Sequence, residues 1–477
     1  MTEETTSTID FSIWESRWES LNSSIESYKA QLESHSLNIE GSSICALVSM
    51  LKNLQTFANA QLNFFFDGFG GQNEYKLDES AESPPSYVLG VTLKQIAYDL
   101  EIIQRAAEQR IWASESTDKK ISHTLNRADH IAKEAIEAVY GTNSIEGDPP
   151  TMITYFEKSH SVRFYPHSPI ALLSIPFTCI VDPSTDNIHN QHTTPDYVTL
   201  LHELGHYIFW HGKVNGEHIH KTLNTSLLTW KKNEDSWCYK WVEEIFADFI
   251  GCWLGGHVIA LSAQELALVA TNEEFIEDDE QHPVPAIRPQ VYIETLQKIQ
   301  NTSEMCNDEL ARQWQEHKIK RVPEKTSFTV FKQSETAAGS AHSVSTVSFD
   351  YAVSKMKDVI HEICTLLEIQ SRLEWSGNIS NLGVTRETLK DELYERFQEY
   401  IDSKSITALN QPPLALLQQA DWKNWVTENG FLGENPFTHT DQPIRPGEGE
   451  DETQGWLNVL YAGGWATKGP TTNPCVK

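Results

Sequence analysis

Along the first third of the chain, apolar residues return every three or four positions. Phe11, Trp14, Trp18, Leu21, Ile25, Tyr28 and Leu32 form one series, and Ile44, Leu47, Leu51, Leu54 and Ala58 form a second. That interval places each set on a single helical stripe. The short polar link around Gly41 then joins the two stripes as an antiparallel helical hairpin. An interval rich in Gly, Ser, Pro and acid at 67–86 reads as a surface loop. Further helical patterns run from Val88 to Trp112 and from Ile121 to Tyr140. Together they predict an N-terminal helical bundle over 1–145, whose aromatic seams are covered by its own helices.

Turn residues take over at Gly141–Pro150. The stretch Ala171 to Val181 (ALLSIPFTCIV) is apolar and partly β-branched, bounded by Pro169 and by Asp182-Pro183, and reads as a buried or edge strand. A polar loop at 182–195 and a helix follow, opening a core expected over 150–300. Helical patterns return near 291–301, 303–319, 350–372 and 385–403, with a Ser/Thr-rich interruption at 325–348, and predict a C-terminal helical region over 301–430. Gly, Pro, Thr and acidic residues dominate 431–477, a loosely ordered tail whose aromatic piece GWLNVLYAGGW (455–465) is suited to dock on the body or on a partner. The expected fold class is mainly α (α+β), a small sheet among helices.

Composition narrows the function classes. The chain has 477 residues, 39% of them hydrophobic, enough for sizeable cores. Its formal charge of −30 argues against nucleic acid, whose phosphates demand Lys/Arg patches, and against anionic membrane surfaces. The longest uncharged apolar stretch, 249–264, falls short of the ~20 residues needed to span a bilayer. The Met1-Thr2-Glu3-Glu4 start lacks a basic region followed by an apolar one, so no secretory signal is read. Seven cysteines, scattered singly without a CxxC pair, read as reduced thiols and a cytoplasmic location.

Chemistry concentrates at His202-Glu203-Leu204-Gly205-His206. Thr194 suits an N-cap, Pro195 the first helical position and Asp196 the positive end of the dipole. Val198, Leu201, Leu204 and Ile208 supply an apolar face, and Gly212 a C-terminal stop. Helical residues four apart lie one turn above each other, so His202 and His206 can grip one ion from the same side. Glu203 projects beside them, where it can act on a water without being a ligand. A catalytic zinc site needs a third protein ligand. The segment Trp241 to Leu254 (WVEEIFADFIGCWL) offers Glu244, with Asp248 one turn later to accept a hydrogen bond from a ligand histidine and orient it. Glu243 is the rival third ligand; Glu244 is preferred because it stands four residues before an Asp.

HELGH followed by ExxxD on a later helix resembles the gluzincin metallopeptidases, the group that includes thermolysin. Downstream, His282-Pro283 and Arg288 are similar to a His-Pro…Arg element of the HtpX-like and CAAX-prenyl-protease-like families. The resemblance spans roughly 165–300. It implies a soluble zincin-like core with two metal-binding helices, a Zn2+ cofactor on His202, His206 and Glu244, and Glu203 as general base. It further implies that Asp248 supports a ligand histidine, that His282 stabilises the oxyanion, and that Arg288 anchors the loop or the site. By the same likeness the strand at 171–181 is the edge on which an extended peptide substrate would pair.

The expected function is a zinc endopeptidase acting on a specific intracellular protein, with the N-terminal helices or C-terminal tail recruiting a partner. Two other readings stay open: a catalytically inactive, zinc-stabilised helical scaffold, and a regulatory protein like the smaller HELGH peptidases of the ImmA/IrrE kind. Tyr207 is expected to be a packing aromatic. His211, His218 and His220 are expected to be solvated loop residues, and Cys238 and Cys252 to lie outside the site.

Overall fold

In the computed structural model, the four apolar stripes become helices α1 (Ser12–Ser36), α2 (Ser42–Gly70), α3 (Pro85–Glu115) and α4 (Lys120–Tyr140). The structure describes residues 10–36, 42–70, 85–115, 119–142, 144–165, 168–180, 194–231, 234–298, 304–334, 341–367, 393–395 and 397. Residues 182–193 of the loop expected at 182–195, the fourth C-terminal helical pattern (apart from those few residues) and the 431–477 tail lie outside them, and the helix begins at Thr194 within that expected loop.

The stripe spacing is what packs the first three helices. Ile25 and Leu32 of α1 are fully buried, as are Leu47, Leu51, Leu54 and Ala58 of α2. Polar tips of the same stripe find partners inside the bundle: Trp18 Nε1 donates to Asn59 Oδ1 at 3.1 Å, and Tyr28 Oη donates to the Gln104 carbonyl at 3.1 Å.

Three strands follow: β1 (Thr151–Glu157), β2 (Ser161–Tyr165) and β3 (Ser168–Pro176). The sheet order is β1-β3-β2, with β1 parallel and β2 antiparallel to β3. This corrects the expectation of a substrate-pairing edge at 171–181. That segment is the central strand, and its backbone groups are taken on both sides; residues 177–179 leave the sheet as a short 3-10 turn. Apolar on both faces, β3 has no alternation to distinguish an edge from a centre.

A buried ionic cluster ties the bundle to this sheet. Arg110 of α3 reaches both carboxylate oxygens of Asp129 on α4, each at 2.8 Å. Asp129 Oδ1 also accepts from the amide and hydroxyl of Thr154 on β1, both at 2.7 Å. A charge this deeply buried persists only when paired and fully hydrogen-bonded.

The metal-motif helix α5 (Thr194–His211) runs under the sheet, touching β2, β3 and α4. A short hairpin, β4 (Lys213–Val214) and β5 (Glu217–His218), leads into α6 (Ile219–Ser226), α7 (Leu228–Lys231) and α8 (Ser236–Lys240). Then come α9 (Val242–Gly255), α10 (His257–Val269), α11 (Pro289–Lys298) and α12 (Glu304–Arg321). The Ser/Thr-rich interval is an antiparallel hairpin, β6 (Ser327–Ser334) and β7 (Ala341–Ser348), before α13 (Phe349–Leu367). The protein is mainly helical with small sheets, and no helix among the described residues is long and apolar enough to cross a membrane.

Replacing Asp129 with Ala leaves Arg110 buried without its counter-charge. The expected cost is about 3–5 kcal/mol of folding stability, read as a lower urea midpoint at unchanged slope. A loss below about 1 kcal/mol would mean the cluster does not hold bundle and sheet together.

Candidate metal centre

Helices α5 and α9 cross at very short range, and glycine makes that approach attainable. A Cβ on Gly205 would stand 2.5 Å from Ala247 Cα and 2.9 Å from its carbonyl oxygen. On the facing helix, a Cβ on Gly251 would come within 3.2 Å of His202 Cα and 2.8 Å of Ile259 Cδ1. The glycine inside HELGH therefore lets one backbone rest against the other. Around it both helices are apolar: Leu204, Ile208, Ile245, Phe249 and Ile250 are fully buried. At its end α5 stops at Gly212, where a Cβ would meet the Ile208 carbonyl oxygen at 2.6 Å.

Across this crossing the donor atoms meet. His202 Nε2 and His206 Nε2 are 3.2 Å apart. Glu244 Oε2 lies 3.5 Å from the first and Oε1 3.4 Å from the second. Tetrahedral zinc with bonds of about 2.0–2.1 Å separates its donors by roughly 3.3–3.4 Å. The two imidazole nitrogens stand close to that separation, each beside one oxygen of Glu244, and together the three side chains can hold a metal ion. Two imidazoles and one carboxylate suit zinc and other divalent first-row metals.

Each histidine of the triad has a carboxylate behind it. His202 Nδ1 is 2.9 Å from Asp248 Oδ1. His206 Nδ1 is 3.0 Å from Glu243 Oε1, which also accepts from Trp210 Nε1 at 2.8 Å. Glu243 thus stands behind His206, and Glu244 is the acid of this pair that faces both imidazoles.

Arg288 grips the second helix from the other side. Its Nε donates to Asp248 Oδ2 at 2.8 Å, and its Nη2 donates to Asp248 Oδ1 and Glu244 Oε2, both at 2.9 Å. Tyr292 Oη adds a 2.5 Å bond to Asp248 Oδ1. Burial disfavours the Asp248 carboxylate, but Arg288 and His202 outweigh it and hold its pKa at about 2. Burial likewise opposes the Glu244 charge, and His206 and His282 hold that carboxyl well below the usual range. The imidazoles shift the other way. Burial works against charge on His202, yet Asp248 and Glu244 raise its pKa to about 10.

His282 reaches the site from the loop before α11. Its Nε2 is 3.4 Å from Glu244 Oε1, its Nδ1 is 2.6 Å from Asp279 Oδ2, and its amide donates to Asp279 Oδ1 at 2.7 Å. The same loop carries Glu280 at φ +69°, a left-handed position that a side chain rarely takes. Asp278 holds it there, accepting from the Glu280 amide at 3.0 Å, from Trp241 Nε1 at 3.3 Å and from the Phe331 amide of β6 at 3.1 Å.

Six of the seven residues singled out from sequence (His202, His206, Glu244, Asp248, His282 and Arg288) thus lie in one connected cluster. Glu203, 9% exposed, is on the same helix between the two histidines. Tyr207 packs inside, stacked on His211 with ring centroids 4.5 Å apart. His211, His218 and His220 are buried rather than solvated; β5 and α6 pack against α5, and His220 lies beside the rings of Phe209 and Trp210. Burial, then His218 and His220, push the His211 pKa well below its ordinary value. Cys238 and Cys252 are buried and form no disulfide, and Cys252 Sγ donates to the Tyr292 carbonyl at 3.5 Å without reaching the triad.

Sequence reasoning missed Trp210, Asp279, Tyr292 and the role of Glu243. One signal was available: every ligand imidazole needs an acceptor at its other nitrogen, and only one had been assigned for two histidines. No protein-family model matches the chain, and neither does any curated protein or solved structure. The gluzincin likeness therefore stays at the level of the motif and its geometry.

Gly205→Ala places a methyl group against the Ala247 backbone. The expected result is a loss of about 1–3 kcal/mol from overpacking together with weaker zinc retention on dialysis; an unchanged melting temperature and full zinc content would show that the helices can separate freely. A second expectation concerns pH. Asp248, held at about 2 against an ordinary 3.8, adds stability above the ordinary value and loses it as pH falls toward the depressed one. Arg288→Met removes the largest cause of the lowering, so in chelator-treated protein the urea midpoint should fall near neutral pH and the acid loss owed to Asp248 should shrink, the two profiles converging as pH approaches about 2. Superimposable pH–urea midpoint profiles would count against the pairing.

Proposed function

We propose that this chain is a zinc-dependent endopeptidase acting on a protein target. The observation that supports the reading best is the triad of His202, His206 and Glu244, whose ligand atoms converge on one point, one residue from a buried Glu203. Three protein ligands with a further position left for water or substrate is the pattern of catalytic rather than structural zinc. When bound, zinc supplies Lewis acidity, polarising a carbonyl and making water nucleophilic near neutral pH.

The protein's own groups do the rest. Glu203 takes a proton from the attacking water and delivers it to the leaving amine. His282, fixed by Asp279 on its Nδ1 side, presents Nε2 beside Glu244 as a donor for the developing oxyanion. Arg288 and Tyr292 keep Asp248, and through it His202, from turning. An extended peptide pairs with the open edge of β2, the edge strand that touches α5, since β3 is enclosed. The six described cysteines are all free thiols, in keeping with a reducing, cytoplasmic setting.

A second reading rests on His282 itself. Its Nε2 stands 3.4 Å from Glu244 Oε1, so a small swing would let it close the fourth position, and a four-ligand site is structural. This is the inactive, zinc-stabilised scaffold.

Zinc content and cleavage of a denatured-protein substrate, compared between wild type and Glu203→Gln, separate the two. The peptidase reading expects equal zinc and a rate about 10²–10⁴-fold lower in the variant. Equal cleavage with zinc bound would falsify the role of Glu203, and zinc-dependent melting with no cleavage by either protein would favour the scaffold.

A further inference from the structure

We propose that Glu243 is the positioning residue that orients and polarises His206, and that Trp210 is its anchor. The inference rests on the metal reading of His202, His206 and Glu244, and it concerns how strongly that triad binds.

Glu243 and Glu244 are adjacent in the first turn of α9, so they leave the helix in different directions. Glu244 faces the two Nε2 atoms, while Glu243 meets His206 on the opposite side of the ring, at Nδ1. Trp210 lies one turn beyond His206 on α5, and its Nε1–H ends on the same oxygen, Glu243 Oε1. His206, Trp210 and Glu243 therefore close a triangle between the two helices. With Nδ1–H donating to Glu243, the Nε2 lone pair is the one left facing the triad, which is the tautomer a metal requires.

The two supporting carboxylates are not equivalent. Asp248 is fully buried, and its charge is matched by two Arg288 bonds and the Tyr292 hydroxyl. Glu243 accepts from an imidazole and a neutral indole, and among the described residues no Lys or Arg makes an ion pair with it. Its side chain is 27% exposed. The negative charge not offset by a cation thus stands behind His206, and charge placed there raises the basicity of the donor nitrogen. Asp248 serves chiefly as a hinge between Arg288 and His202; Glu243 sets ligand strength.

The test uses the full chain and measures Zn2+ affinity by competition with a chromophoric chelator. It adds the visible spectrum of the Co2+-loaded protein and melting of the metal-free forms. Glu243→Ala should weaken Zn2+ binding about 10–100-fold and shift the Co2+ bands, with metal-free melting close to wild type. Glu243→Gln, which keeps an acceptor but not the charge, should fall between wild type and Ala. Trp210→Phe should weaken binding in the same direction, and the double variant should be no worse than Glu243→Ala, since Trp210 acts through Glu243. Affinity within about threefold of wild type in Glu243→Ala, while Glu244→Ala has lost zinc, would overturn the proposal and leave the metal reading standing. Loss matched by a collapse of metal-free melting, with Gln no better than Ala, would also overturn it, as a purely structural role. A wild type that binds no Zn2+ would sink the metal reading first.

Discussion

The site depends on two helix backbones coming closer than side chains normally allow. Gly205 against Ala247, and Gly251 against His202, remove the atoms that would hold α5 and α9 apart. Glycine inside a helix costs about 1 kcal/mol relative to alanine, so each position works against helix formation. Burial of large apolar side chains on both helices offsets that cost. What the close crossing delivers is register. A pair of histidines one turn apart and a pair of acids one turn apart can share one point in space only when their axes are this close. At a wider separation Glu244 would fall short of both imidazoles, however well the spacing read in sequence.

A second constraint follows from the first, because the crossing brings acids into a buried place. Glu243 and Glu244 lie in the first turn of α9, where the helix dipole favours negative charge. Asp248 is a turn deeper and fully buried, beyond the reach of that effect. Its stability has to come from Arg288 and Tyr292, which arrive from the loop and from α11. The Arg110–Asp129–Thr154 cluster solves the same problem elsewhere, joining two helices and a strand through one ion pair in which both Asp129 oxygens are bonded. In both places removing one partner is far more costly than the pair is beneficial.

How much of this could be read from sequence follows the range of each interaction. The helices of the bundle showed their periods plainly: the stripe from Val88 to Trp112 became Pro85–Glu115, and the one from Ile121 to Tyr140 became Lys120–Tyr140. Strand β1 did not, because TMITYFE is buried along its interior on both faces and lacks alternation. The β6–β7 hairpin left a weak signal in Phe328 and Val330, which alternate inward, but its many Ser and Thr residues read as loop. At the site, contacts four residues apart were legible: His202 with His206, and Glu244 with Asp248. Contacts made by the crossing were not. Nothing local pairs Glu243 with Trp210, or Tyr292 with Asp248, until α5, α9 and α11 are packed.

The loop bearing His282 shows how separate parts of the fold contribute separate parts of the chemistry. The triad hangs on α5 and α9 alone, so whatever sets their distance sets whether a metal binds. His282 hangs on a loop bent through the left-handed Glu280, pinned by Asp278 to α8–α9 through Trp241 and to β6 through the Phe331 amide. An isolated bridge between Glu277 and Thr329 extends that attachment. The hairpin at 327–348 packs Phe328 on Trp241 at the start of α9, so it borders the site through that helix as well as through the His282 loop. The triad and the His282 loop are thus positioned by different but touching elements. The Asp279 bond takes the Nδ1 side of His282 and leaves Nε2 facing Glu244, so one carboxylate outside the triad sets which ring nitrogen the loop presents to it.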